Sequence, residues 1–468
     1  MIALTRDNRL LVLLSAFLVL AFLTGGGGRS DVLSLVLLRP VAAAVLVIGL
    51  AGLRRSHVKT MQLPFLVLAA MALLVIVHLI PLPPVLWQAL PGRDLVMAVD
   101  QQAGLGALWR PLTLTPLAAW NALASLLVPA AVLIVGAQLD AKQGIALLAL
   151  LVGFGLVSAL LGLLQAIGDP NGPLYLYRVT NYAAAVGLFA NRNHQAMLLA
   201  TIWPMLAVFV QRHSANDGKA KFRYVFAATA ALPVVPLILI TGSRAGILLG
   251  VAGLAASVLL LRGLLFPGKK RPTARKINFV LVGGAIAAAM IALVTIVLAR
   301  ADSFNRLVAS NQVDEQRLKF WGPVFRLAGD YFPLGSGIGS FVEAYQVAEP
   351  NSQLSNYYLN HAHSDYLEIA MTAGLPGIVL VVIGVAALVA RSVRVWRDAE
   401  PASSLVGKLG SVIVVMLLIG SIADYPLRVP SLQAVFVVAV LWLFHDRSMA
   451  STSANKDSTP ASDSRAVR

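Results

Sequence analysis

Apolar runs of about twenty residues, each long enough to cross a bilayer as a helix, recur along the whole 468-residue chain with short polar stretches between them. In hydrocarbon every backbone N–H and C=O must find a partner within the segment, so such runs adopt α-helices. Runs near 10–26, 32–53, 63–80, 117–138, 144–167, 183–210, 224–241, 244–262, 277–299, 364–390, 405–422 and 430–445 predict an all-α polytopic integral membrane protein. The expected number of transmembrane helices is about 12. Charged residues make up 12% of the chain, about half their share in soluble domains. Cysteine is absent, which excludes disulfides, thiol chemistry and cysteine-ligated metals.

The net charge of +16 is distributed in short loops rather than on one face, so it does not point to nucleic acid. Arg54, Arg55 and Lys59 follow the second run. Arg212, Lys219, Lys221 and Arg223 follow the sixth, Arg262 to Lys276 the eighth, and Arg391, Arg394 and Arg397 the tenth. All are exits on one side, which the positive-inside rule makes cytoplasmic, with both termini there. Arg6 and Arg9 before an apolar stretch resemble a signal peptide. The Gly25–Gly28 run with Arg29 is not a small-x-small cleavage site, however, so an uncleaved first span is expected. The polar tail, 447–468, is expected to be disordered and cytoplasmic. Three longer segments, about 81–116, 168–182 and 300–363, face the other side. The first, with several prolines and Trp87, Trp109 and Trp120, suits an interfacial segment. Long structured loops tend to carry function.

Four stretches could carry chemistry. Phe189-Ala-Asn-Arg-Asn-His194 sets Arg192, Asn193 and His194 beside apolar sequence. Polar groups at that depth usually face a cavity, the alternative being an interfacial cap with a snorkelling arginine. Thr241-Gly-Ser-Arg-Ala-Gly246 is a tight turn in which Ser243 and Arg244 open a helix, an arrangement that suits an anion, while Gly246 lets a neighbouring helix approach. The segment 300–339 brings Arg300, Arg306, Arg317, Lys319 and Arg326 to the side where positive charge is disfavoured. A phosphate-bearing substrate or anionic headgroups would account for them. Its Gly335–Gly339 run lacks the spacing and lysine of a nucleotide loop and reads as a turn.

The fourth stretch is His361-Ala-His363-Ser-Asp365-Tyr-Leu-Glu368. Histidine suits general-base work near neutral pH, and Asp365 or Glu368 could orient it. Which of His361 and His363 is the base stays open. His-x-His-x-Asp also opens the metallo-β-lactamase metal motif, but Tyr366 stands where that motif continues with histidine, so no metal is expected.

Taken in order, these stretches resemble the O-antigen ligase and polymerase family of bacterial membrane proteins. The resemblance rests on Ala190–His194, Gly242–Gly246, Arg317 with Trp321, Pro333–Gly339, His361–Leu367 and Ala373–Gly377, over about 180–380, with Ile80–Pro84, Trp87 and Leu90–Arg93 before them. The resemblance implies a single transmembrane catalytic domain, 1–446, in the bacterial inner membrane. Its long periplasmic loop lies between spans nine and ten, and its active site faces the periplasm. It implies metal- and cofactor-independent transfer of a glycan from undecaprenyl diphosphate. By position, Arg244 and Arg317 hold the diphosphate and His363 is the base. Arg192, Asn193, His194, Ser243, His361, Asp365, Arg306 and Arg326 are the further substrate-binding candidates. Family members often have asparagine where Ser364 stands, and many have an acidic residue near Thr372.

Such an enzyme would transfer to lipid A core as a ligase, or to a second lipid-linked repeat as an O-antigen or exopolysaccharide polymerase. The ligase type is favoured here. A protein-glycosylating relative is a further variant. A flippase for lipid-linked glycans is the rival from another class. It would need charge deep in the bundle, accessible from both faces, whereas the candidates here fall on one.

Overall fold

The computed structural model describes residues 6–211, 220–265, 311–354, 358–397 and 404–445. The expected ninth span, Arg306 and the tail lie outside them. Among the described residues the protein is all-α with a single two-stranded sheet, and nine helices are long and apolar enough to cross a membrane.

The chain opens with α1 (Arg6–Thr24) and α2 (Leu35–Gly52), then the short α3 (Arg55–Thr60) and α4 (Gln62–Leu79). The 81–116 segment is a small folded unit. Strands β1 (Pro81–Leu82) and β2 (Arg110–Pro111) pair antiparallel around α5 (Pro84–Gln88) and α6 (Asp94–Gln102). Trp87 is buried there and donates from Nε1 to Leu108 O at 2.9 Å, whereas Trp109 and Trp120 are exposed. Next, α7 (Pro116–Ser125) and α8 (Leu127–Gly136) form one apolar span, Pro116–Gly136. Helix α9 (Ala141–Ile167) follows, capped by Asp140 and Gln143 reciprocally.

The expected sixth span begins later than its sequence suggests. Residues 183–191 are apolar but not helical, and α10 runs Arg192–Gln211. Two polar side chains of α9 account for this. Gln165 Oε1 accepts from Val186 N and Gly187 N, and Ser158 Oγ accepts from Leu188 N. These bonds satisfy backbone amides that a helix would have paired internally.

Helix α10 is enclosed on nearly all sides, with Asn193 to Val208 buried without a break. After α11 (Ala220–Ala231) and α12 (Val234–Thr241), Gly242 turns the chain with φ +63° into α13 (Arg244–Leu265). A Cβ on Gly246 would lie 2.2 Å from Ala196 Cβ, and one on Gly253 would lie 2.4 Å from Ala200 O. Small residues therefore let α13 approach α10 closely.

Helix α14 (Asn311–Asp330), a turn region and α15 (Phe341–Ala348) form a separate apolar cluster with Leu367 and Met371. Gly374 (φ +56°, ψ −147°) interrupts the long helix α16 (Asp365–Arg397). The interruption frees carbonyls: Ser336 N donates to Met371 O at 3.0 Å and Gly337 N to Thr372 O at 2.9 Å, while Leu375 N returns a bond to Pro333 O. The Gly335–Gly339 run is thus a turn, and it docks onto the kink. Helices α17 (Ser404–Ala423) and α18 (Pro430–His445) complete the bundle, joined by the turn 424–429.

Candidate active site

Four helices begin at one end of the bundle: α10 at Arg192, α13 at Arg244, α16 at Asp365 and α18 at Pro430. The α17–α18 turn meets them there. A helix start gathers unpaired N–H groups and the positive end of its dipole, so this end favours anions.

The turn supplies Asp424, which is fully buried. Its Oδ2 accepts from Asn193 Nδ2 at 2.5 Å and its Oδ1 from Tyr425 N at 2.9 Å. His363 Nδ1 lies 3.4 Å from Oδ1, and His194 Nε2 lies 3.6 Å from the same atom. Burial opposes charge on Asp424, but the facing His194 and His363 imidazoles outweigh it and hold the carboxyl well below its usual range. Its stabilising contribution is therefore complete above about pH 4, the unfolded value, and is lost only as pH falls through the lower folded one. The ring of Tyr425 centres the cluster, 4.4 Å from that of His361, 5.0 Å from His194 and 5.2 Å from His363. Burial, and then Asp424, push the Tyr425 phenol up, so it stays protonated.

Two residues earlier, His361 has a different setting. Its Nδ1 lies 3.1 Å from both oxygens of Glu368, and its Nε2 lies 3.1 Å from Gly28 O. Both ring nitrogens face acceptors, which suits a ring with two donors. Arg428 bridges Asp365 Oδ1 and Glu368 Oε1, each at 3.0 Å, and Ser421 Oγ donates to Asp365 Oδ2. Burial works against the Arg428 charge, but the two carboxylates prevail and raise it.

The sequence candidates separate into groups. His363, His361 and His194 come together around Tyr425, Asn193 bonds the neighbouring Asp424, and Asp365 joins through Arg428, but neither Asp365 nor Glu368 orients His363. That contact belongs to Asp424, while Asp365 is held by Arg428 and Ser421. Ser243 is buried and its Oγ accepts from Gly246 N at 2.9 Å, so it caps α13. Arg244 begins that helix, half-buried. It stands two residues before Gly246, which packs on Ala196, two residues after His194. Arg192 is half-buried at the start of α10, and its N–H donates to Asn181 Oδ1. Arg317 lies on α14 one turn before Trp321, whose Nε1 donates to Ala362 O at 3.0 Å and ties that helix to the histidine loop. The Arg317 side chain is outside what the structure describes. Arg326 is exposed farther along α14. Ser364 starts α16 as its cap, with Oγ 3.4 Å from Leu367 N, a role asparagine fills equally well.

Asp424, Tyr425 and Arg428 were not anticipated. A signal was present: Asp424 is the only acidic residue of 404–445, and it sits at the end of an apolar run. Among the described residues no group of three or more histidine, aspartate or glutamate side chains could hold a metal ion.

The fold and this cluster define a polytopic α-helical membrane protein with carboxylate–imidazole machinery at one end of its bundle. Residues 226–382 match the O-antigen ligase family, so the resemblance seen in the sequence holds over α11 to α13, α14, the histidine loop and the first half of α16. No curated protein matches the chain.

Proposed function

We propose that the chain is an inverting, metal-independent glycosyltransferase of the bacterial inner membrane. Its donor is a glycan on undecaprenyl diphosphate, and its acceptor hydroxyl belongs to lipid A core, at the periplasmic face. The observation that carries this reading is the contact of His363 with Asp424. His363 turns Nδ1 to a buried carboxylate and remains a quarter exposed, which leaves Nε2 as the nitrogen for an incoming hydroxyl. His361 has both nitrogens engaged, so His363 is the base.

In the reaction the acceptor oxygen attacks the anomeric carbon as its proton passes to His363 Nε2. The bond from that carbon to the diphosphate oxygen breaks on the opposite face, so the configuration inverts. Asp424 holds the ring and stabilises the imidazolium that forms. The departing lipid diphosphate gains negative charge. Arg244, at the start of the helix packed on α10 near His194, and Arg317, on the helix tied to the histidine loop, stabilise it, as do the clustered helix starts. No nucleotide is required, since the donor arrives already activated.

Binding of undecaprenyl diphosphate to purified protein tests the cationic half of this scheme. Arg244→Ala and Arg317→Ala should each weaken it about 10–100-fold, the range for a lost charged hydrogen bond. Unchanged affinity would remove that residue from the site. Deleting the gene in its host separates the acceptors. Lipid A core without any polymer indicates the ligase, whereas core carrying a single repeat indicates the polymerase.

A further inference from the structure

Asp424 Oδ1 faces three donors, yet a carboxylate oxygen offers about two lone-pair sites. Tyr425 N occupies one at 2.9 Å. The other lies between His363 Nδ1 at 3.4 Å and His194 Nε2 at 3.6 Å, neither of which forms a hydrogen bond with it. Both nitrogens are buried without a hydrogen-bond partner, and so is His194 Nδ1. His194 is 1% exposed. A buried polar group left unpaired is destabilising. A ring needed only to fill space between Phe189 and Tyr425 would be better supplied by phenylalanine.

We propose that His194 is a positioning residue that competes with His363 for the remaining acceptor site on Asp424, and so sets how firmly the carboxylate holds the base. This rests on the reading of His363 as base. When His194 Nε2–H donates to Oδ1, His363 loses its partner and gives up a proton more readily. When His363 becomes protonated, its charge-assisted bond is the stronger one and displaces His194. The pair therefore exchanges one acceptor between resting and proton-loaded states.

The other groups around this carboxylate cannot substitute. Asn193 already occupies Oδ2. The buried Tyr425 phenol is neutral. His361, Glu368, Asp365 and Arg428 are engaged with one another. His194 and His363 are thus the groups left to trade the site.

The test uses the intact protein in detergent with Cε1-labelled histidine. Nuclear magnetic resonance then follows the titration of His363, assigned with His363→Gln. His194→Phe keeps a ring and removes the donor, whereas His194→Gln keeps an amide donor near the Nε2 position. The Phe variant should raise the proton affinity of His363 about threefold or more, roughly half a pH unit. The acid limb of the transfer rate should move to higher pH alongside it. The Gln variant should stay close to the parent protein. If His194→Phe does not fold, His194→Leu carries the same expectation. A His363 titration unchanged by loss of the donor, or identical shifts for Phe and Gln, would overturn the proposal. The titration reads the competition whether or not His363 proves to be the base, which His363→Ala decides separately.

Discussion

His361 and His363 stand two residues apart in one loop, and their surroundings differ in kind. Around His361 every charge is matched: two carboxylates, Asp365 and Glu368, meet Arg428, and both imidazole nitrogens have partners. Around Asp424 three imidazole nitrogens are buried without hydrogen bonds. The first set looks after itself and ties α16, the α17–α18 turn and the Gly25–Gly28 segment together. The second is left with unused capacity, which structures retain where it does something else. Identical side chains in one motif are thus held by different partners, and the proposed mechanism makes one a strut and the other a reagent.

Asp424→Asn should break the reagent side with the largest effect, lowering the transfer rate about 10²–10⁴-fold while the protein stays folded. Single-turnover transfer measures this, and an unchanged rate would mean His363 needs no carboxylate. Next, Arg428→Ala should act on the strut side, depriving two buried carboxylates of their shared guanidinium at a cost of about 3–5 kcal/mol. Thermal unfolding in detergent should register that loss, and stability equal to the parent would remove the contrast. Gly246→Val adds atoms where a Cβ already meets Ala196 at 2.2 Å, so about 1–3 kcal/mol of overpacking is expected between α10 and α13. The same unfolding assay tests it. Smallest is Trp321→Phe, which removes the bond to Ala362 O and should cost about 0.5–1.5 kcal/mol. A larger loss would show that α14 does more to hold the histidine loop than one hydrogen bond provides.

Much of this was legible in order along the chain, because membrane spans are local: an apolar run makes its own hydrogen bonds wherever it sits. The close approach at Gly246 and the turn at Gly335–Gly339 were legible for the same reason, being set by glycine itself. The start of α10 was not. Residues 183–191 are as apolar as a span, and Gln165 and Ser158 on another helix, with the carbonyls of Gly26 and Pro170, take up backbone amides that coiling would have paired. The histidine motif pointed to the site, yet its carboxylate was sought at Asp365 and Glu368, the acids nearest in sequence. Asp424 bonds Asn193 across 231 residues of chain, a pairing that tertiary packing makes and no local pattern records.

The most direct measurement is the transfer rate of His363→Ala set beside its affinity for undecaprenyl diphosphate. A fall of about 10²–10⁴ in rate, with donor affinity close to that of the parent protein, is the predicted result. Full transfer activity in that variant would contradict the assignment of His363, and with it the division of labour between the two histidines.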